Sequence, residues 1–204
     1  MTTPAELLAL QTRKVFGVST ALLLAIWIGA ITSISSARSY QDQLDRGIKP
    51  ADIVTLSGAI GLIVVFAMGA AWIVTSKWLR MLHDESVDRK PGSIRLNRRW
   101  TLWGWVVPIV SFWFPKTIID DLLIERGVDP RSGSTRTTVW WLSWVGFNVL
   151  FNASTSLGFN VDPNVVPINP SVEIAAACML TAGFQQWRSL VQILGTPAQS
   201  HISI

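Results

Sequence analysis

The 204-residue sequence is poor in the side chains that carry chemistry. Its single cysteine, Cys178, lies in an apolar run, so no disulfide can form within the chain and no zinc-type or Cys-x-x-Cys spacing exists. His83 and His201 are far apart and lack ligand-type neighbours, which leaves no metal set and gives no reason to expect a cofactor. No Gly-rich phosphate loop, nucleophile elbow or His-Glu-x-x-His run is present. Asp120 and Asp121 are adjacent, so on a helix they point about 100° apart, which is poor geometry for paired-carboxylate catalysis. Charge is scarce as well. Only 15% of residues are charged, and the long apolar runs offer no buried catalytic carboxylate or base. These absences predict a protein that is not an enzyme.

What the chain does have is length of apolar sequence. Val15 to Ile34, Ile53 to Thr75 and Val139 to Gly158 carry no charge. Val172 to Leu194 is a fourth apolar stretch, with Glu173 near one end and Arg188 near the other. About 20 such residues in a helix cross the hydrocarbon of a bilayer, and a helix satisfies its own backbone there. The expected fold is therefore an all-α integral membrane protein. We read residues 1–204 as a single membrane domain with four transmembrane helices over about 15–34, 53–75, 139–158 and 172–194. The first run follows Arg13 and Lys14 and ends near Ser35 and Ser36, as a signal peptide would. It is longer than the usual signal core, so an uncleaved first helix is expected.

Between the second and third runs lies a different kind of segment. Trp100, Trp103 and Trp105 are followed by Pro108, Trp113 and Pro115. The segment is apolar but only about fifteen residues long, short for a span and interrupted by proline. It suits a Trp/Pro-rich re-entrant or interfacial element. After Pro115 the residues Ile118, Ile119, Leu122 and Leu123 share a helical face, with Lys116, Asp120, Asp121 and Glu125 placed elsewhere. The whole element covers about residues 100–124. The first helix is expected to overshoot toward a stop at Gly47, the second toward His83 and Glu85, and Pro170 to open the last helix after Asn169.

Basic residues decide between two topologies. If the Trp/Pro segment crosses, Lys and Arg divide nine inside to eight outside, which is no bias. If it returns to the side it left, fourteen of the seventeen fall inside. The positive-inside rule selects the second: four spans, both termini cytoplasmic, and the element on the cytoplasmic side. The net charge of +4 then reflects a basic cytoplasmic face, not a nucleic-acid partner.

The run from Arg99 to Lys116 resembles the central signature of a bacterial, mainly actinobacterial, multi-pass membrane family, domain of unknown function 4328. The family pattern has a Trp-rich entry, a proline before a small apolar stretch, and a second proline near a basic residue. Those fall here on Trp105, Pro108, Pro115 and Lys116, while Ser111 and Phe112 depart from an Asn-containing step. Trp140, Trp141 and the closing Gln185, Gln186, Trp187 and Arg188 match the downstream helices. The resemblance implies architecture and a bacterial cell membrane, and no established activity.

Two groups of residues are candidate sites. Arg95, Arg98, Arg99, Trp100, Trp103, Trp105, Pro108, Trp113 and Lys116 could bind an anionic lipid or a flat ligand such as a quinone. The plainer alternative is an aromatic belt at the interface. Asn148 and Asn152, one turn apart in the third span, are expected to pack against neighbouring helices, as are the small-residue faces Ala21, Ala25, Gly29 and Ser57, Gly61, Gly69. The function expected is that of a small non-enzymatic accessory or interaction subunit. Its partners would be the bilayer, anionic lipids, and a membrane protein or a second copy. The alternative is a lipid-, quinone- or solute-handling protein acting at the Trp/Pro element.

Overall fold

Capping chemistry sets the ends of the first long helix. Thr3 and Glu6 form a reciprocal capping box, Thr3 N–H to Glu6 Oε2 at 2.7 Å and Glu6 N–H to Thr3 Oγ1 at 3.2 Å. Pro4 fills the first helical position, where no donor is needed. The helix α1 then runs Pro4–Asp45 and stops at Gly47, whose φ of 80° reverses the chain while Ile48 N–H bonds back to the Gln43 carbonyl. The computed structural model describes residues 3–49, 52–107, 110–132, 136–159 and 168–196, without the side chains of 154–159. Pro50, Pro108, His201 and the proline-bearing residues 160–167 lie outside the described residues, as do the side chains of Thr155 and Ser156.

The remaining elements are α2 (Leu56–Arg89), α3 (Trp100–Trp103), a 3-10 turn (Val110–Phe112), α4 (Phe114–Glu125), α5 (Thr137–Phe159) and α6 (Pro170–Gly195). No strand occurs among the described residues. The helix α2 begins later than the apolar run does. Thr55 is its cap, accepting the Gly58 N–H on Oγ1 at 3.3 Å, so Ile53 and Val54 stay outside the helix. Asn169 caps α6 in the same way through Val172 N–H, with Pro170 as expected in the first turn. Among the described residues, two helices, α1 and α2, are long and apolar enough to cross a membrane. The helices α5 and α6 do not reach that standard: Asn148 and Asn152 interrupt one, and Glu173, Gln185, Gln186 and Arg188 the other.

The chain divides into two compact units, and each of the four long helices contributes to both. The first unit comprises residues 1–19, 70–141 and 184–204. Its core is built of large side chains at helical spacing: Trp78, Leu79 and Leu82 from α2, Ile118, Ile119, Leu122 and Leu123 from α4, and Leu190, Val191 and Leu194 from α6, all fully buried. The second unit comprises residues 20–69 and 142–183. Its interior holds several small residues, Ala30, Ser33, Ala176 and Ala177, together with Leu22, Ile26, Val64 and Phe147. Large apolar side chains point outward, among them Leu24, Ile28 and Ile31 on α1 and Leu62, Ile63, Val65 and Phe66 on α2. Gly29 lies close to Ile60, where an added Cβ would touch its Cγ2 at 3.5 Å. Gly61 and Gly69 face open space among the described residues, so that part of the small-residue stripe makes no such contact.

Candidate functional site

The Trp/Pro element is a broken helix whose first turns are held by backbone and indole donors. Its first helical N–H groups donate to loop carbonyls: Trp100 N–H to Asn97 O, Thr101 N–H to Arg98 O, and Leu102 and Trp103 N–H both to Arg99 O. All four carbonyls of α3 find donors. Trp100 O accepts Gly104 N–H, and Trp103 O accepts Val106 and Val107 N–H. Thr101 O accepts the Trp105 indole at 3.2 Å, and Leu102 O the Trp72 indole at 3.0 Å. Further along, Phe112 O accepts the Trp141 indole at 2.6 Å. A helix that stops early leaves orphan carbonyls. Here three indoles replace the donors that the next helical turn would have supplied.

The predicted tryptophans thus separate into two kinds. Trp105 packs edge-on against Trp140, with ring centres 6.3 Å apart, and Trp140 stacks on Trp187 at 5.2 Å. Trp187 meets Trp78 edge-on at 6.1 Å. Trp100 meets Phe114 at 4.7 Å. Trp103 and Trp113, by contrast, are about half exposed, alongside Val106 and Phe112. They form the outward apolar surface of the element.

Three of the four basic residues expected to donate charge to a ligand are engaged inside the first unit. Arg95 holds Asp121 with its Nη2 at 2.7 Å and its Nε at 2.9 Å, and its backbone N–H bonds the other carboxylate oxygen at 3.0 Å. Arg98 pairs with Asp84 at 2.8 Å, and Lys116 with Asp120 at 2.5 Å. Arg99 has no acidic partner among the described residues. The Arg95 guanidinium is held above the ordinary arginine range by its hydrogen bond to Asp121 and the attraction of that charge. Asp121 is buried, and so is the Glu125 side chain, which takes Arg89 at 3.0 Å. The polar face expected for α4 is therefore partly internal. Asp121 and Glu125 lie with Ile118 and Leu122 at spacings of three and four, and buried charge is tolerated there because each carboxylate has an arginine.

Arg126 has a different duty. Its Nη1 donates to the Ile193 carbonyl at 3.0 Å and to the Thr196 carbonyl at 2.6 Å, closing the end of α6. Burial lowers its pKa from the usual arginine value.

Polar contacts between helices come mainly from hydroxyls that the sequence did not single out. The Trp78 indole donates to Thr12 Oγ1 at 3.1 Å, the Trp187 indole to Ser19 Oγ at 3.0 Å, and the Trp27 indole to Thr181 Oγ1 at 2.9 Å. Thr12 and Thr181 in turn donate to carbonyls four residues earlier, so each hydroxyl closes one bond in its own helix and accepts another from outside it. Asn148 and Asn152 donate their amides to the carbonyls of Trp144 and Asn148, one turn back in α5, both at 2.8 Å, and Asn152 is exposed.

An open cleft of about 740 Å³ lies in the first unit beside α4, bounded by Arg95 and by the loop 127–131. Its wall alternates charge: Arg95, Lys116 and Arg131 against Asp120, Asp121 and Asp129. Asp120 Oδ1 is buried, with no hydrogen-bond partner among the described residues.

A family model described as domain of unknown function (DUF4328) matches residues 50–183. The match takes in α2 to α5 and the first half of α6, and leaves α1 outside. No curated protein and no solved structure matches the chain.

Proposed function

The chain belongs to the DUF4328 family, and from that premise we propose that it is a multi-pass protein of the bacterial cell membrane, a non-enzymatic accessory or interaction subunit. One observation carries the membrane part of this reading. The apolar windows of α1 and α2 are only 22% and 17% buried within the protein. An apolar helix in the core of a water-soluble protein would be mostly buried; these present their large side chains outward, as lipid contact demands. In this reading α5 and α6 also span, with Asn148, Asn152 and Thr181 bonded to carbonyls of their own helices and Thr181 also accepting the Trp27 indole. Both termini and the Trp/Pro element lie on the cytoplasmic side, where fourteen of seventeen basic residues then collect.

The non-enzymatic part rests on the ion pairs. Asp84, Asp120, Asp121 and Glu125 are each taken up by a cation: Arg98 and Arg95 tie the loop 90–99 to Asp84 and Asp121, Arg89 ties α2 to Glu125, and Lys116 pairs with Asp120 within α4. A second reading, lipid or quinone contact at the Trp/Pro element, is favoured by the exposed Trp103, Val106, Phe112 and Trp113. With Arg95, Arg98 and Lys116 already paired, that contact is chiefly aromatic.

Topology is tested by single-cysteine labelling with a membrane-impermeant maleimide, in a Cys178→Ser background because Cys178 is exposed. Cysteines placed at Ser93 and Ser132 should label only after the cells are permeabilised. Labelling of Ser132→Cys in intact cells would refute the four-span arrangement.

A further inference from the structure

The seam between α1 and α6 in the first unit carries two exposed arginines and no carboxylate, and we propose that it holds the phosphate of an anionic phospholipid headgroup. Three contacts set the seam. The Trp187 indole donates to Ser19 Oγ at 3.0 Å. The Arg188 guanidinium lies over the Phe16 ring, 5.7 Å from its centre. Gly195 comes so near α1 that a β-carbon there would run into the Thr12 side chain. The two helices therefore run antiparallel here, with Thr12 beside Gly195 and Ser19 beside Trp187. Arg13 and Gly17 are one turn apart on α1, and Arg188 and Gln192 are one turn apart on α6. Arg13 precedes Phe16 by three residues, so both guanidiniums border the same ring. All four of these residues are exposed. Nothing lies within 4 Å of where a β-carbon would stand on Gly17, so the space next to Arg13 is open.

Charge selects the partner. The helix α1 has no acidic residue between Glu6 and Asp42, and α6 has none after Glu173. Arg13 and Arg188 have no acidic partner among the described residues, unlike Arg95, Arg98 and Lys116. Water satisfies a single exposed cation. Two guanidiniums brought to one seam without a counter-charge raise the local potential, and a shared anion lowers it. The guanidinium fork matches phosphate oxygens, and the Gln192 amide adds an uncharged donor beside it. The bilayer supplies the phosphate. Large apolar side chains of α1 point outward from Leu24 onward, and the positive-inside arrangement puts Arg13 at the cytoplasmic leaflet, where anionic headgroups lie. The inference rests on the membrane reading above. It moves the contact with anionic lipid away from the Trp/Pro element, where three of the four expected cations are already paired.

The test uses the full chain in an uncharged detergent with equal amounts of phosphatidylglycerol and phosphatidylcholine, and native mass spectrometry reads which lipid stays bound. Phosphatidylcholine carries its own cation next to the phosphate, which the two arginines repel. We expect phosphatidylglycerol to be retained about tenfold over phosphatidylcholine. Arg13→Gln and Arg188→Gln should each cut that preference about threefold, and the double variant should bring it to parity. Lys77→Gln and Arg131→Gln each remove one exposed charge elsewhere in the first unit, and should change the preference by less than about twofold. Arg188→Gln also loses the Phe16 contact. Arg13→Gln leaves that contact in place and carries the test if Arg188→Gln loosens the seam. Retention of both lipids without a preference, or an equal loss in all four single variants, overturns the proposal while leaving the membrane reading intact. Retention of neither lipid overturns both.

Discussion

Trp141 and Trp103 show one side chain used for opposite ends. Trp141 is buried and donates to the Phe112 carbonyl, a group that the broken element would otherwise leave unmet. Trp103 is about half exposed and faces outward. Replacing either with phenylalanine removes an indole N–H and keeps an aromatic ring. Trp141→Phe should therefore cost about 1–3 kcal/mol, the price of an unsatisfied buried carbonyl. Trp103→Phe should change stability by less than about 0.5 kcal/mol. Thermal melts of the two variants in the same detergent compare them directly, and equal shifts would show that the indole bond is not what holds the element. The sequence made the tryptophans conspicuous but not their partners. An indole donor can meet any carbonyl or hydroxyl, and Thr12, Ser19 and Thr181 carry no mark that distinguishes them from other helix hydroxyls. The ion pairs were not foreseen, although one of them follows from local spacing. Lys116 and Asp120 are four apart on one helix and face each other by geometry alone. Arg95 and Asp121 are 26 residues apart and meet only after α4 has docked.

Helix ends were more legible than helix faces. Gly47 as the stop of α1 and Asn169-Pro170 as the start of α6 follow from local chemistry that needs no tertiary context. The polar edge of α4 was misjudged for the opposite reason. An arginine from another element allows a carboxylate to be buried, and periodicity alone cannot show that arginine. The end of α4 is again local. Gly127 adopts φ 74°, with its N–H on the Ile124 carbonyl and Val128 N–H on the Leu123 carbonyl, the pattern of a left-handed helix stop. That stop aims residues 127–131 along the cleft. Gly127→Ala should destabilise by about 1–2 kcal/mol, because a β-carbon is unfavourable in this conformation. Gly127→Asn should recover part of the loss, since asparagine tolerates the left-handed region. Guanidinium melts of both variants would check the order. If alanine and asparagine cost the same, the backbone conformation at 127 is not what the glycine provides.

The two units invert each other's use of side-chain size. The first buries Trp78, Leu79, Leu122 and Leu194, as a water-soluble core does, and turns Arg98, Arg99 and Arg131 outward. The second places alanine and serine among its buried residues and turns Phe66 outward at 78% exposure, with Leu62 at 64%. Hydrophobicity alone cannot report this difference, because α1 and α2 are apolar on every side through their central turns, and an all-round apolar helix reads the same in a core as in lipid. Only the direction of the large side chains separates the two cases. A nitroxide at residue 66 or 62, in the Cys178→Ser background, should then be relaxed by dissolved oxygen far more than by a water-soluble nickel chelate. A nitroxide at Lys77, also exposed but within the first unit, should show the reverse. The contrast matters more than either value, because both sites lie on α2 and differ only in which unit holds them. If the label at residue 66 is as open to the nickel chelate as the label at residue 77, the outward apolar face of α2 meets water or another protein, and the membrane reading fails with it.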